Sequence, residues 1–312
     1  MSQLERILII KLSALGNVVL SLGPFAAIRA HHPGAEIAVL TTPPYADWLS
    51  RAPWFDRTIS GGRPAWWDIA GTLHLRQMLR AGGFTRVYDL QTSGRSSRYF
   101  RFFPRDAKPE WCGIAPGASH RHRMAPGTRM HDIDRQYAQL AVAGITERAP
   151  VDLSWSAADL SRFQLPPRIA LLVPGSSAHR PGKRWPATRY GELAHWLAER
   201  GIVPVVVGTA GEAPLALPIL AASPQTIDLT GRTTLPELTE LTRFAVLAVG
   251  NDTGPMHLAA AAGCPSVVLF SHDSDPKLCA PRGHWVRTLR DADLSALPLS
   301  AAIDAIEAAL AV

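Results

Sequence analysis

Cysteine is scarce in this sequence, and the three cysteines among its 312 residues are Cys112, Cys264 and Cys279. An odd number without Cys-x-x-Cys spacing argues against a disulfide framework and against a structural zinc site. Cys112 could in principle share a metal with His120, His122 and His131. Their irregular spacing, in a stretch rich in Arg, Pro and Gly, favours a solvated loop instead. We therefore expect no metal centre.

Long hydrophobic runs are also missing. No apolar segment approaches the roughly 20 residues that a membrane-spanning helix needs. The first residues, MSQLERILII, lack the basic start and the small-residue cleavage site of a signal peptide. With 47% apolar and 19% charged residues the composition is that of a globular protein, and the length allows two domains of about 150 residues each. We expect a cytoplasmic protein.

Acidic residues are relatively few in one half of the chain. Residues 1–160 contain 19 Lys and Arg against 13 Asp and Glu, whereas residues 161–312 contain 13 of each kind. The imbalance is strongest over 95–129, where eight basic and two acidic residues are interleaved with aromatic side chains. Such a cluster attracts polyanions or the anionic face of a membrane, unless it is only a solvated surface. No nucleic-acid-binding motif accompanies the charge, so nucleic acid is not an expected partner.

Short apolar runs alternate with helical patterns along the whole chain, which predicts an α/β fold with doubly wound parallel sheets. Runs such as RILIIKL (6–12) and RIALLVPG (168–175) are typical of buried parallel strands. The alternation is interrupted at 149–168, where a Pro-Pro pair indicates a linker. We therefore predict an N-terminal domain over 1–160 and a C-terminal domain over 161–299. Two such domains would form a cleft between the carboxyl ends of their strands.

The most informative segment is NDTGPMH (251–257). It follows an apolar, strand-like run and leads into MHLAAAAG, which is rich in strong helix formers. Asp252 and Thr253 are natural N-cap residues, and Pro255 is tolerated in the first helical turn. A polar turn between a strand and a helix N-terminus presents free backbone N–H groups to an anion. We interpret the segment as a ligand-binding turn, although a well-capped turn without a ligand would show the same pattern.

Two further polar turns follow predicted strands in the second half. The first contains Ser176 and Ser177, whose hydroxyls could cradle phosphate oxygens together with Lys183. The second is GTAGE (208–212), which ends in Glu212, a carboxylate able to accept hydrogen bonds from ribose hydroxyls. Lys183 could instead be an ordinary surface cation, and Glu212 a structural neighbour of a helix N-terminus. Together the three turns predict a site for a nucleoside diphosphate linked to a polar group.

Five motifs of the second half occur in a definite order: PGSS, GKRWP, a GxxxE turn, GRTTLPELTEL and NDTGPMHLAAAAGCPSVVLF. This order resembles glycosyltransferase family nine, the ADP-heptose:lipopolysaccharide heptosyltransferases. The N-terminal ILIIKLSALGN and the later VYDLQTSGRSS are also similar to segments of that family. The resemblance covers most of the chain and is weakest over 100–165. It implies a GT-B architecture with two Rossmann-like domains facing across a cleft, and a C-terminal helix (300–312) that returns to the N-terminal domain.

The resemblance also implies inverting transfer of a heptose from ADP-heptose, without a metal or cofactor. The positions that would bind the donor are Ser176, Ser177, Lys183, Glu212, Asp252, Thr253 and Gly254. Lys183 and the two serines would hold the diphosphate, and Lys183 would also stabilise the charge that develops on it during transfer. Glu212 would contact the adenosine ribose and Asp252 the donor sugar. Thr253 and Gly254 would offer backbone N–H groups to phosphate, and His257 would be a structural hydrogen-bonding residue.

The acceptor implied by the resemblance is a lipopolysaccharide core or a related anionic glycan. Basic residues of the first half, including Arg95 and Arg98, would face this acceptor. The same basic surface would bring the protein into peripheral contact with the inner face of the membrane. The alternatives from other classes are a nucleotide-sugar binding protein with little or no activity, and a GT-B enzyme that uses another nucleotide-sugar.

One departure from the family concerns the acceptor step. The family reads roughly Ser-x-x-Gly-Asp after its first strand, and that Asp is assigned as the base; here the segment is SALGN, ending in Asn17. An amide cannot take a proton, and loss of a general base typically costs about 10²–10⁴ in rate. Asp89 or His272 could supply the base, or the acceptor could carry its own activating group. Asn17 could also simply cap the following helix. We favour a working transferase with an altered acceptor step.

Overall fold

The computed structural model describes residues 4–125, 127–177 and 179–311, and it divides into two compact units, unit 1 over 1–151 and unit 2 over 152–312. The division falls inside the predicted linker, earlier than residue 160, because the following segment packs with unit 2. Ser156 Oγ donates to Thr239 Oγ1 at 3.1 Å, and the Arg243 guanidinium donates to the carbonyl oxygens of Ser156 and Leu153.

Unit 1 contains a six-stranded parallel sheet in the order β3-β2-β1-β4-β5-β6. Its strands are β1 (Arg6–Ile10), β2 (Glu36–Thr41), β3 (Arg57–Ser60), β4 (Arg86–Asp89), β5 (Glu110–Gly113) and β6 (His120–Arg121). Its helices are α1 (Leu15–Val19), α2 (Leu22–His31), α3 (Pro43–Ser50), α4 (Ile69–Ala81), α5 (Gly94–Tyr99) and α6 (Asp132–Val142). The central strand β1 is almost wholly buried, as expected for a parallel strand covered on both faces.

Unit 2 repeats this arrangement with a parallel sheet in the order β12-β11-β10-β7-β8-β9. Its strands are β7 (Ile169–Val173), β8 (Val203–Val206), β9 (Ile227–Asp228), β10 (Leu247–Asn251), β11 (Ser266–Phe270) and β12 (Val286–Arg290). Its helices are α7 (Ala187–Ala198), α8 (Ala213–Ala222), α9 (Leu235–Phe244), α10 (Gly254–Ala261), α11 (Pro276–Cys279) and α12 (Leu299–Leu310). Short 3₁₀ turns include Pro181–Lys183 and Ala210–Glu212. Both sheets have the strand order of a dinucleotide-binding fold, so the predicted doubly wound α/β class is confirmed.

The C-terminal helix corrects one expectation. The resemblance implies that 300–312 returns to the N-terminal domain, but α12 lies in the core of unit 2, where Ala302 and Ile306 are fully buried beside Leu247 and Val267. The apolar stripe of the helix is therefore satisfied by the sheet that directly precedes it in the chain. Trp185 Nε1 also donates to the carbonyl of Leu297 at 3.0 Å and fixes the approach to the helix. Across the described residues, no helix combines the length and the apolar character needed to span a membrane.

Candidate active site

The three polar turns of unit 2 meet at one edge of its sheet. β10 pairs with β7, and β7 pairs with β8, all in parallel. Because the carboxyl ends of adjacent parallel strands share an edge, the turns that follow these strands become neighbours, which is where ligands bind in open α/β sheets. Lys183 and Asp252 are 69 residues apart in sequence, yet Lys183 Nζ lies 2.5 Å from Asp252 Oδ2. The predicted convergence of these two turns is confirmed.

Asn251, the last residue of β10, holds this edge together. Its side chain is fully buried, and its Nδ2 donates to the carbonyl oxygen of Pro174 at 2.8 Å. Its Oδ1 accepts from the backbone N–H of Trp185 at 3.0 Å and from the Tyr190 hydroxyl at 3.1 Å. One amide thus joins the ends of β7 and β10 to the start of α7. Sequence reasoning missed this residue; a polar residue at the end of a buried strand was the available signal.

Lys183, Asp252 and His257 form a mostly buried polar cluster. Besides the contact with Lys183, Asp252 has its Oδ1 at 3.8 Å from His257 Nε2. Burial opposes ionisation of Asp252, but the contacts with His257 and Lys183 outweigh it and lower the pKa of this carboxyl to about 2. Asp252 is therefore a carboxylate at neutral pH, suited to accept hydrogen bonds and unsuited to take up a proton. In the part of the chain that the structure describes, His257 Nδ1 has no hydrogen-bond partner.

The N-terminus of α10 lies directly beside this cluster. Thr253 is the N-cap, as the sequence predicts, and its side chain makes no capping hydrogen bond. The N–H groups that begin a helix have no partner within it, so Thr253 and Gly254 present backbone donors at the positive end of the helix dipole. The Lys183 ammonium adds a full positive charge nearby. This combination can bind an oxyanion.

The two serines in the loop after β7 have different surroundings. Ser176 is buried, and its Oγ accepts from Arg184 Nε at 3.1 Å and donates to the carbonyl of Arg180 at 3.3 Å. Ser177 is exposed. The Ser177 hydroxyl can therefore reach a ligand directly, whereas Ser176 shapes the loop. Arg184, which the sequence-based set did not include, adds a second cation at this position.

The two carboxylate oxygens of Glu212 have different surroundings. Its Oε2 accepts from the backbone N–H of Thr209 at 2.7 Å and from the Thr209 hydroxyl at 2.9 Å, which caps the turn that begins α8. Among the described residues its Oε1 takes part in no hydrogen bond. The carboxylate also lies so close to Gly175 that any Cβ there would overlap it. One oxygen is structural, and the other can accept from a ligand hydroxyl.

Asn17 occupies the corresponding edge of unit 1, after β1. It lies inside α1, whose N-cap is Ala14, while α2 begins after Ser21. The interpretation of Asn17 as a helix cap is therefore wrong. Its backbone oxygen accepts from Ser21 Oγ at 2.8 Å, and its exposed side chain makes no hydrogen bond to any described residue.

The two alternative bases differ in accessibility. Asp89, at the end of β4, is fully buried, and desolvation raises the pKa of its carboxyl to about 7. Lys11 is buried near it and donates to the carbonyl of Leu90 at 3.0 Å. In this structure an acceptor hydroxyl cannot contact Asp89. His272 follows β11 in unit 2 and is largely exposed, with Nδ1 at 2.6 Å from the carbonyl oxygen of Ala292.

Three arginines of unit 1 differ in how they are engaged. On α5, Arg95 donates to the carbonyl of Pro64 at 2.6 Å, and Arg98 is exposed. Arg63, which the sequence-based set did not include, donates to Ser13 Oγ at 2.9 Å. Arg98 is thus available to an anionic ligand, while Arg95 and Arg63 fix the loops after β3 and β1.

The described residues contain no group of three His, Cys, Asp or Glu side chains able to hold a metal ion. Cys112 is buried, where its Sγ donates to the carbonyl of Gln139 at 3.3 Å. Burial raises the pKa of this thiol to about 12, so it is not the thiolate that a metal would require.

Comparison with known proteins shows the family of the chain. The chain is 28% identical to lipopolysaccharide heptosyltransferase 2 of Escherichia coli (strain K12) over 313 residues, covering 91% of this chain and 88% of that protein. Its fold is similar to the structure of Escherichia coli ADP-heptose lipopolysaccharide heptosyltransferase II, with a TM-score of 0.81, 24% identity and 98% of each chain covered. A family 9 glycosyltransferase from Veillonella parvula gives a TM-score of 0.85 at 21% identity, covering 98% of this chain and 97% of that one. The family model for glycosyltransferase family 9 (heptosyltransferase) matches residues 72–299, and the chain belongs to this family.

Proposed function

We propose that this glycosyltransferase moves a heptose from ADP-heptose to a lipopolysaccharide core or a related anionic glycan, with inversion at the anomeric carbon and without a metal. The observation that carries the donor assignment is the contact between Lys183 and Asp252 at the N-terminus of α10. It places a cation, a carboxylate and free backbone N–H groups together. The Escherichia coli relative is an ADP-heptose enzyme, which supports the same donor for this chain.

The donor step uses charges already in place. As the sugar leaves, negative charge grows on the ADP diphosphate, and Lys183 with the N–H groups of Thr253 and Gly254 stabilises it. These groups would supply the stabilisation that a metal ion gives in other transferases. Ser177 would donate to a phosphate oxygen. Asp252, ionised at neutral pH, would accept from a hydroxyl of the heptose.

Glu212 would direct its Oε1 to the ribose of the donor. Its Oε2 is engaged by Thr209, so the carboxylate is held in a fixed orientation. Gly175 gives the carboxylate room, because a Cβ at this position would overlap it.

The acceptor step differs from that of relatives with an Asp at this position. The Asn17 amide can hydrogen-bond to the acceptor hydroxyl but cannot take its proton. Asp89 is buried, so an anionic group on the acceptor itself is the better candidate for the base, with His272 as the exposed protein alternative. Arg98 would hold the acceptor's negative charge. An acceptor built on a lipid would place the protein in peripheral contact with the inner face of the membrane.

One observation favours a second function, a nucleotide-sugar binding protein with little turnover: the position of the family base is occupied by Asn17. Thermal-shift assays with ADP, UDP and GDP test the donor first, because a bound ligand raises apparent stability by mass action. ADP should give the largest shift. A larger shift with UDP or GDP would point to another nucleotide-sugar. Transfer assays with ADP-heptose then separate an enzyme from a binding protein that releases no ADP.

A further inference from the structure

The start of α4 and the loop before it expose an unusual group of apolar side chains. Trp66, Trp67, Ile69 and Leu73 are 83%, 68%, 73% and 56% exposed. We call these four residues the α4 patch. Elsewhere in the described chain, the large hydrophobic residues that are exposed are isolated in sequence; they are Leu4, Val142, Val151, Leu217 and Phe244. Scattered exposed apolar residues are normal, but a contiguous group of this kind marks an interaction surface.

The helix itself shows that the patch is not a by-product of packing. The inner face of α4 is already satisfied, because Leu75 and Leu79 are buried in the core of unit 1. The outer face of a surface helix is normally polar. Here its first turns present Ile69 and Leu73, followed by the exposed polar residues His74 and Gln77.

The patch sits on a fixed support. Asp68 caps α4 by accepting from the backbone N–H of Gly71 at 2.7 Å. Arg95 donates to the carbonyl of Pro64 at 2.6 Å, and the Tyr99 hydroxyl donates to the carbonyl of Gly62 at 2.7 Å. The two indole rings stand edge to face with centroids 5.3 Å apart. The loop and the helix that carry the apolar surface are therefore anchored to unit 1.

The charge around the patch is mainly positive. Residues 61–103 contain seven Arg and two Asp, with no Lys or Glu. Asp89 is fully buried, so Asp68, the helix cap, is the only acidic residue of this stretch near the surface. Arg63 and Arg80 are exposed beside the apolar residues. The partner that fits has an apolar interior and an anionic surface.

We propose that the α4 patch docks unit 1 onto an anionic lipid bilayer. Trp66 and Trp67 would lie at the level of the headgroups, Ile69 and Leu73 would reach the acyl boundary, and the arginines would contact lipid phosphates. This proposal names the surface through which the protein would contact the membrane. Only the biological role of that contact rests on the proposed function. A second copy of the chain fits less well, because a two-fold contact at this patch would bring like charges together.

The test measures co-sedimentation of the full chain with vesicles of phosphatidylcholine, with and without phosphatidylglycerol. The test variant is the double substitution Trp66→Ser and Trp67→Ser. The control is Leu217→Ser, which removes a comparably exposed apolar side chain of unit 2. The wild type should bind the anionic vesicles, and its Trp emission should shift to the blue. The affinity of the double variant for these vesicles should be lower by about tenfold or more. The control should match the wild type. Absence of wild-type binding, or equal binding by the double variant, would overturn the proposal.

Two further measurements separate this proposal from the others. The double variant should keep the ADP affinity of the wild type and its turnover on a delipidated, water-soluble acceptor. Loss of turnover on that acceptor, with vesicle binding equal to that of the wild type, would assign the patch to acceptor binding and reject membrane docking. A concentration-dependent dimer in sedimentation, abolished in the double variant and without vesicle binding, would assign it to self-association. If vesicle binding depends on the patch but no acceptor is turned over, the docking inference stands and the proposed function falls.

Discussion

The carboxyl edges of the two sheets have the same strand order, but the polar side chains that follow the strands are arranged differently. In unit 2, Lys183 contacts Asp252, and Asn251 joins two strand ends to α7, so the candidate donor residues hold one another in place. In unit 1, the Asn17 side chain is exposed without a described partner, and Asp89 is buried beyond the reach of a ligand. In terms of the proposed function, the donor site would be organised before the ligand binds, and the chemistry of the acceptor site would depend on what binds there.

This contrast fits the division of work in a transferase. Stabilising a leaving diphosphate requires charges fixed in advance, since reorganising them during the reaction would add to the barrier. An acceptor that brings its own anionic group requires less from the protein. Four perturbations probe the contrast, beginning with the one of largest expected effect.

Lys183→Ala should lower the rate of transfer by about 10²–10³, the usual cost of losing one preorganised group that stabilises developing charge. It should also weaken ADP binding in a calorimetric titration. Arg200→Ala removes an exposed cation near the end of α7, which stacks on Trp196, and should change neither quantity. Equal ADP affinity in the wild type and Lys183→Ala would remove the donor-site assignment.

Asn251→Ala should lower the free energy of unfolding by about 3 kcal/mol, because it leaves several buried donors and acceptors of unit 2 unpaired. Tyr190→Phe removes a single donor from the same group and should cost about 1 kcal/mol. Urea denaturation followed by circular dichroism measures both. Similar losses for the two variants would mean that Asn251 does not organise the edge.

Asp89→Asn should change the pH dependence of stability. The folded pKa of Asp89 is raised from 3.8 to about 7, so the unfolded chain loses this proton at lower pH and wild-type stability falls as pH rises across that interval. The variant lacks this loss, so its stability relative to the wild type should rise by about 2 kcal/mol or more between the two pH values. Parallel stability profiles from pH 4 to 8 would contradict the buried, neutral state of Asp89.

Asn17→Asp should change the rate of transfer by less than about tenfold, because the proposed base lies elsewhere. Steady-state assays with ADP-heptose and an anionic core acceptor measure it, and Asn17→Ala shows how much the amide contributes by positioning. A gain of about 10² or more with Asn17→Asp would mean that the natural chain lacks a working base. That result would favour the binding-protein alternative.

Local sequence patterns predicted the fold class and the turns of unit 2, because strand, polar turn and helix N-terminus are neighbours in the chain. The pattern of Asn251 could not reveal its role, since its partners lie 61 to 77 residues away. The apolar stripe of α12 showed that the helix packs, but not against which sheet. The sequence gives no clear strand signal for edge strand β12, because its side chains are mostly exposed and include Arg287 and Arg290. Exposure of the α4 patch could not be read from the sequence either, since Ile69 and Leu73 fit a buried helix face equally well.

The most direct measurement of the central claim is mass spectrometry of an anionic lipopolysaccharide core acceptor after incubation with ADP-heptose and the wild-type protein, alongside Lys183→Ala. The account predicts that the acceptor gains one heptose, that ADP is released in equal amount, and that Lys183→Ala forms product about 10²–10³ times more slowly. Tight ADP-heptose binding by the wild type with no heptose on the acceptor and no ADP released would contradict it.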